Sequence, residues 1–324
     1  DTIHKALEAS VRETGRTYFE RNEANPLEED LIIVDEASML DISLFYHLLC
    51  ALKDGARLIL VGDIDQLPPV GAGEPLKDLM SWGYVPIVRL KRIFRQEEGS
   101  GIVENAALIR KGEMCVPDEA GEFRIIYAAD DEDAYRIVMD LCRELNYGNE
   151  ENKMLLQVLS PMYRGVCGVD HLNESLQEMI HGEKVPDGMK FFPGDKVMQT
   201  RNDYEKGIYN GDVGTVWTAT PQKVFVRYFD KEVVYEGEER FDLRLAYAVT
   251  VHKSQGSEYE TVIFILRPSQ HNMLQRNLLY TGVTRARKNT ILVTAPDALR
   301  RALAIQHTGN RYSLFLPFLN HEAL

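Results

Sequence analysis

Leu31-Ile32-Ile33-Val34-Asp35-Glu36 is an apolar run that stops at two adjacent carboxylates. Unbroken apolar residues of this kind suit a strand buried in a parallel sheet. Such a strand delivers Asp35 to the carboxyl edge of the sheet, where α/β folds bind ligands. There Asp35 can hold a magnesium-bound water, and Glu36 can orient or deprotonate an attacking water. A core strand running into a helix capped by Asp35 or Ser38 accounts for the same residues. The pair alone therefore leaves both readings open.

A second run, Leu58–Val61, enters Gly62-Asp63-Ile64-Asp65-Gln66-Leu67-Pro68-Pro69-Val70. Gly62 permits close backbone approach, and Gln66 offers a donor and an acceptor to a γ-phosphate and its water. Further strand candidates are Leu155–Leu159, Val262–Leu266 and Ile291–Thr294; helix candidates are Ser43–Leu52, Gly101–Arg110, Asp131–Leu145 and Gly168–Ile180. Alternation of the two predicts an α/β fold. From Pro193 to about Leu243 the period falls to two over Lys196–Thr200, Val213–Thr218, Lys223–Tyr228 and Val233–Tyr235, which predicts an inserted all-β barrel. Val11 to Glu13, a Thr14-Gly15 turn and Arg16 to Phe19 make a hairpin candidate, with a loop as the alternative in this polar segment.

The 324 residues carry 37 Lys and Arg against 50 Asp and Glu, a net charge of -13. Taken alone, that disfavours a nucleic-acid binder. Residues 244–324, however, hold ten basic and four acidic residues, so the last quarter is at +6 and the rest at -19. The average therefore excludes no polyanion. Cys50, Cys115, Cys142 and Cys167 are far apart and unaccompanied by histidines, which argues for reduced, buried thiols in a cytoplasmic protein rather than a metal or disulfide framework. No apolar run reaches the ~20 residues of a membrane helix.

Three basic or polar stretches complete the pattern. Arg89-Leu90-Lys91-Arg92-Ile93-Phe94-Arg95-Gln96 interleaves cations with apolar residues, and Arg95 suits a phosphate clamp. Ala248 to Tyr259 ends an apolar run in His252-Lys253-Ser254-Gln255-Gly256, groups that suit a phosphodiester backbone. Tyr280-Thr281-Gly282-Val283-Thr284-Arg285-Ala286-Arg287-Lys288 reads as a helix presenting an arginine that can reach a γ-phosphate. Each alone also fits an ordinary basic surface.

In this order the stretches resemble the RecD/TraA-like branch of superfamily 1 DNA helicases (exodeoxyribonuclease V alpha-subunit type) along essentially the whole chain. Thr2-Ile3-His4 is similar to an early DNA-contacting motif, DEASM at 35–39 to Walker B, GDIDQLPPV at 62–70 to motif III and RIFRQ at 92–96 to motif IV. VTVHKSQGSEY at 249–259 and YTGVTRAR at 280–287 are similar to motifs V and VI, and Ser160 to Gly165 with Asn173 to a stretch preceding the barrel. The resemblance implies two RecA-like P-loop NTPase domains, the first incomplete, and an SH3-like β-barrel. It places the first domain at 1–115 with a pin-like hairpin near 9–28, the second at 116–192 and 244–324, and the barrel at 193–243. It implies ATP and Mg2+ as cofactors, with Asp35 holding magnesium through water and Glu36 as base. Gln66, Arg95 and Arg285 would sense the γ-phosphate, and Glu258 the ribose. His4, Arg164, Thr250, His252 and Lys253 would face single-stranded DNA. A 5′-to-3′ helicase acting at duplex junctions in repair or recombination is the implied activity, with other exonuclease V subunits as candidate partners.

One element of that pattern is missing: the 324 residues contain no G-x-x-x-x-G-K-[ST] and no Gly-Lys dipeptide. The chain is accordingly expected to start inside the first RecA-like domain, to expose a sheet edge, and to be inactive by itself for want of the phosphate cradle. A DNA-binding scaffold derived from a helicase and an RNA-directed superfamily 1 motor are the competing readings.

Overall fold

A computed structural model of the chain describes residues 2–11, 17–90, 99–186, 188–306 and 315–320. These fall into two compact units, 1–91 with 308–324, and 92–307.

The first unit opens with a short helix, α1 (Ile3–Ala6), capped by Thr2 Oγ1, which accepts from the Lys5 N–H at 3.2 Å. Strands β1 (Ala9–Val11) and β2 (Thr17–Phe19) pair antiparallel with Ala9 opposite Phe19, so the hairpin starts two residues earlier than expected. The expected turn at 12–16 lies outside the described residues. Strands β3 (Leu31–Val34) and β4 (Arg57–Leu60) run parallel in register, Leu31 beside Arg57. Between them lies α2 (Ile42–Cys50), capped by Asp41 Oδ1 on the Leu44 N–H at 2.8 Å. Helix α3 (Pro75–Trp82) follows β4, with proline in its first turn. Val34, with Ile32, Leu58 and Leu60, packs on a core of Leu7, Phe19, Leu27 and Leu48. The opposite face is open: Leu31, Ile33 and Ile59 are exposed, so β3 is buried on one face and not on the two its composition suggests.

The second unit begins with α4 (Gly101–Lys111), which packs on later elements of this same unit, so the change of unit falls near residue 91. Its centre is a five-stranded, all-parallel sheet in the order β12-β6-β13-β14-β5, built from β5 (Phe123–Tyr127), β6 (Leu156–Ser160), β12 (Ala248–Thr250), β13 (Tyr259–Leu266) and β14 (Ala286–Thr294). Helices α5 (Asp131–Glu144), α6 (Asn152–Leu155) and α7 (Val169–His181) precede the barrel; α8 (Arg276–Val283) and α9 (Pro296–Ala304) follow it. Val262 to Leu266 is wholly buried, the burial on both faces that a central parallel strand requires. Inserted after α7 are β7 (Lys196–Gln199), β8 (Val213–Ala219), β9 (Lys223–Arg227), β10 (Glu232–Glu236) and β11 (Leu243–Leu245), an antiparallel sheet ordered β10-β9-β8-β7-β11. It has its own core of Phe191, Val197, Val216, Val226 and Tyr235. Strand β11, too short to show a period, closes the sheet on β7. Helix α10 (Phe315–Leu319) belongs to the first unit, where Phe315 meets the edge of Phe45 at 5.9 Å.

Cys115, Cys142 and Cys167 are buried, and burial pushes each thiol up to about 12, which leaves them inert apolar filler.

Candidate functional site

In the first unit the chemistry sits where β3 and β4 end. The Val61 N–H donates to Val34 O and the Ala37 N–H to Val61 O, both at 2.8 Å, so the two loops leave the same sheet edge stitched together. Gly62 makes this possible, since a Cβ there would lie 2.8 Å from the Ser38 nitrogen and 2.9 Å from Leu76. Asp35 is exposed, and its Oδ1 accepts the Glu36 N–H at 2.8 Å. Glu36 takes a left-handed backbone (φ 50°), which turns the chain sharply just past the strand. Strain of that kind in a non-glycine residue persists only where its surroundings enforce it. Ser38 and Gln66 line a common cavity of about 20 Å3, room for a water, and Ser38 Oγ is buried in it without a hydrogen-bond partner.

No group of three metal-ligating side chains occurs among the described residues. Magnesium needs fewer, since it keeps waters and takes one or two carboxylates with the substrate's own phosphates. An exposed carboxylate beside a second one fits that donor set. His4, on α1, is half-buried against the Phe19 ring at 5.9 Å, and burial lowers its pKa below the usual value. Arg95 lies outside the described residues.

In the second unit the carboxyl ends of β6 and β12 carry the expected polar groups side by side, Thr250 pairing with Ser160. Thr250 Oγ1 accepts the Lys253 N–H at 3.2 Å and so shapes the turn that holds His252 and Lys253. Burial holds His252 below the ordinary imidazole pKa. Lys253 Nζ donates to Asn210 Oδ1 on the barrel. Arg164 is exposed on the loop after β6, and this loop folds over Gly168.

Arg285 corrects the helical reading of 280–288. Helix α8 ends at Val283, Thr284 Oγ1 folds back to donate to Tyr280 O at 2.9 Å, and β14 starts at Ala286. Arg285 is thus the link between helix and strand, buried, donating to Thr281 O and Ser257 O at 3.2 Å each. It ties the 249–259 and 280–287 stretches together. Glu258 is exposed and lies 3.6 Å from the Arg287 guanidinium.

Three known families match consecutive parts of the chain: an AAA domain at 1–124, the ATP-dependent RecD-like DNA helicase SH3 domain at 172–228, and the UvrD-like helicase C-terminal domain at 245–293. The ATP-dependent RecD2 DNA helicase of Deinococcus radiodurans is 37% identical over 317 residues, 97% of this chain and 42% of that protein. The RecBCD enzyme subunit RecD of Mycolicibacterium smegmatis is 32% identical over 332 residues, 97% of this chain and 59% of that protein. The chain is similar to RecD-like helicases along nearly its whole length. This RecD-like chain spans about half the length of the two relatives. Its fold is similar to that of a Bacteroides Pif1 helicase solved with ADP-AlF3 and single-stranded DNA, at a TM-score of 0.55 and 19% identity, covering 99% of this chain and 83% of that one. A Candida albicans Pif1 helicase gives 0.54 at 19% identity over 91% and 77%. At such identities the likeness is one of fold, an α/β fold with parallel sheets and an SH3-like insertion. No helix among the described residues is long and apolar enough to cross a membrane.

Proposed function

We propose that the protein containing this chain is an ATP-dependent helicase that moves 5′ to 3′ on single-stranded DNA and opens duplex junctions in cytoplasmic repair or recombination. The observation that carries the reading is the stitched end of β3 and β4, which sends Asp35, Glu36 and Gln66 off one sheet edge. Asp35 holds magnesium through water, and Glu36 takes the proton of the attacking water. Gln66, Arg95 and Arg285 balance charge on the γ-phosphate, and Glu258 meets the ribose. Bound magnesium supplies electrostatic stabilisation to the phosphates. His4, Arg164, Thr250, His252 and Lys253 contact the DNA backbone. Other subunits of an exonuclease V assembly are candidate partners, since several relatives are named as RecBCD subunit RecD.

Three measurements test this. In the longer protein, Glu36→Gln is expected to lower DNA-stimulated ATP hydrolysis by at least about 100-fold while nucleotide binding survives; undiminished hydrolysis would overturn the assignment of the base. Unwinding of 5′-tailed DNA, 3′-tailed DNA and 5′-tailed RNA duplexes is expected only for the first. The 324 residues alone, which contain no Walker A sequence, are expected to release negligible phosphate from ATP with DNA present.

A further inference from the structure

The turn after β6 is exposed at Tyr163, Arg164 and Gly165, yet its backbone is closed on itself. The Val169 N–H donates to Met162 O at 2.9 Å, the Asp170 N–H to Tyr163 O at 3.0 Å and the Gly168 N–H to Gly165 O at 2.9 Å. Two side chains then grip neighbouring carbonyls on the returning limb. Ser160 Oγ, wholly buried at the end of β6, donates to Cys167 O at 2.6 Å. His171 Nδ1, on α7, lies 2.8 Å from Val166 O, and because a carbonyl only accepts, this nitrogen carries the proton. The exposed His171 ring rests beside Tyr135 of α5, 5.0 Å between centroids.

Behind Ser160 the hydrogen bonds close a ring. Gln270 Nε2, in the helical turn Pro268–Met273 that follows β13, donates to Ser160 Oγ at 3.2 Å, so the hydroxyl accepts on one side and donates on the other. Gln270 Oε1 accepts the Arg267 N–H at 2.8 Å, and Arg267 Nε donates to Asp131 Oδ1 at 3.1 Å. Asp131 O in turn accepts from Cys167 Sγ at 3.3 Å, which brings the circuit back to the turn. Arg267 and Gln270 are buried, where polar groups are tolerated only when bonded and where a connected set of them rigidifies what it holds. The ring begins and ends at the two feet of the turn that carries Arg164.

We propose that His171 and Ser160 are positioning residues for DNA binding, which pin this turn so that Arg164 is presented to a phosphate of the single strand. The inference rests on the reading of Arg164 as a DNA contact. An arginine on a loose loop gives up backbone freedom each time it meets a phosphate, whereas one on a pinned turn has less to lose. A purely stabilising role accounts poorly for His171, since water competes for an exposed hydrogen bond and leaves it little net worth to the fold. What that bond does fix is the path of the chain between Arg164 and α7.

The test is fluorescence anisotropy of the longer protein with a 5′-fluorescein oligothymidylate, run as a double-mutant cycle against Arg164. His171→Ala is expected to weaken binding about three- to ten-fold. It should also lower the slope of log affinity against log salt by up to about 0.7, the share of one phosphate contact on a single strand. His171→Asn, whose amide can donate from the place of Nδ1, should restore both. In an Arg164→Ala background, His171→Ala should cost nothing further. Ser160→Ala is expected to repeat the pattern. Gln270→Glu keeps an acceptor for the Arg267 N–H but competes for the Ser160 proton, and it stands in should Ser160→Ala unfold. Parental affinity in the His171 and Ser160 variants, or equal losses with and without Arg164, overturns the positioning role and leaves the motor reading standing. Parental affinity and slope in Arg164→Ala itself overturns the reading of Arg164, and the proposal with it.

Discussion

The Tyr247 hydroxyl donates to Asp195 Oδ1 at 2.9 Å, joining the root of the barrel to the segment that leads into β12. The same fully buried carboxylate accepts the Phe192 N–H at 2.7 Å and Gln177 Nε2 at 2.5 Å, and lies 2.8 Å from His181 Nε2. Removing it strands several buried donors at once. Asp195→Ala is expected to cost about 3 kcal/mol or more, and Tyr247→Phe about 1–3 kcal/mol, in denaturant unfolding. An Asp195→Ala chain as stable as the parent would show that the network contributes nothing.

Lys196, the next residue, is fully buried, with Nζ donating to Gln157 Oε1 at 2.9 Å and Leu156 O at 3.2 Å. Burial, reinforced by the charge of Lys153, lowers its pKa to about 7. An unfolded lysine keeps its proton to about pH 10.4, so between these values the unfolded chain binds more protons and stability rises with pH. Below pH 7 both states are protonated and this slope vanishes. Lys196→Met is expected to flatten the rise between pH 7 and 10, read as the shift of the denaturation midpoint. The same rise in the variant would assign it to other groups.

His252 and Lys253 share a turn but should act differently on DNA. Burial lowers the pKa of His252, so near pH 7.5 the imidazole is neutral and serves as a hydrogen-bonding group. His252→Gln is expected to weaken single-strand binding without changing its salt slope, whereas Lys253→Ala should lower the slope by about 0.7. Equal slopes for the two variants would place the lysine away from the phosphates.

Gly168 lies under the turn that presents Arg164. A Cβ there would stand 2.5 Å from Tyr163 O and from the Arg164 carbonyl carbon, contacts relieved only by moving backbone. Gly168→Ala is expected to cost about 1–3 kcal/mol and to weaken DNA binding as Arg164→Ala does. Unaltered stability and binding would mean the turn shifts freely.

Much of this architecture was legible because it depends on local pattern. The runs at 31–34, 58–61 and 262–266, and the period of two after Pro193, each declare a strand through adjacent residues. What stayed hidden depends on partners distant in sequence. Arg244 over Tyr163 and Lys253 on Asn210 join residues 81 and 43 apart, and no periodicity encodes either. Arg285 was misplaced on a helix because its neighbours favour one. The side chain of Thr284, folding back on Tyr280 O, ends α8 at Val283, two residues before Arg285. The single-sided burial of β3 is likewise a matter of what covers the sheet, since its composition would suit either environment.

The barrel enters and leaves the parallel sheet at nearly one point. Strand β7 begins at Lys196 and β11 ends at Leu245, and they are neighbours, with the Ala246 N–H donating to Lys196 O at 2.8 Å. About fifty residues thus hang from a doorway one hydrogen bond wide. Whatever is threaded through such a doorway can lengthen, shrink or be exchanged without re-routing the strands around it. The sheet tolerates a change of attachment as a socket tolerates a change of plug, provided the few side chains at the threshold are kept.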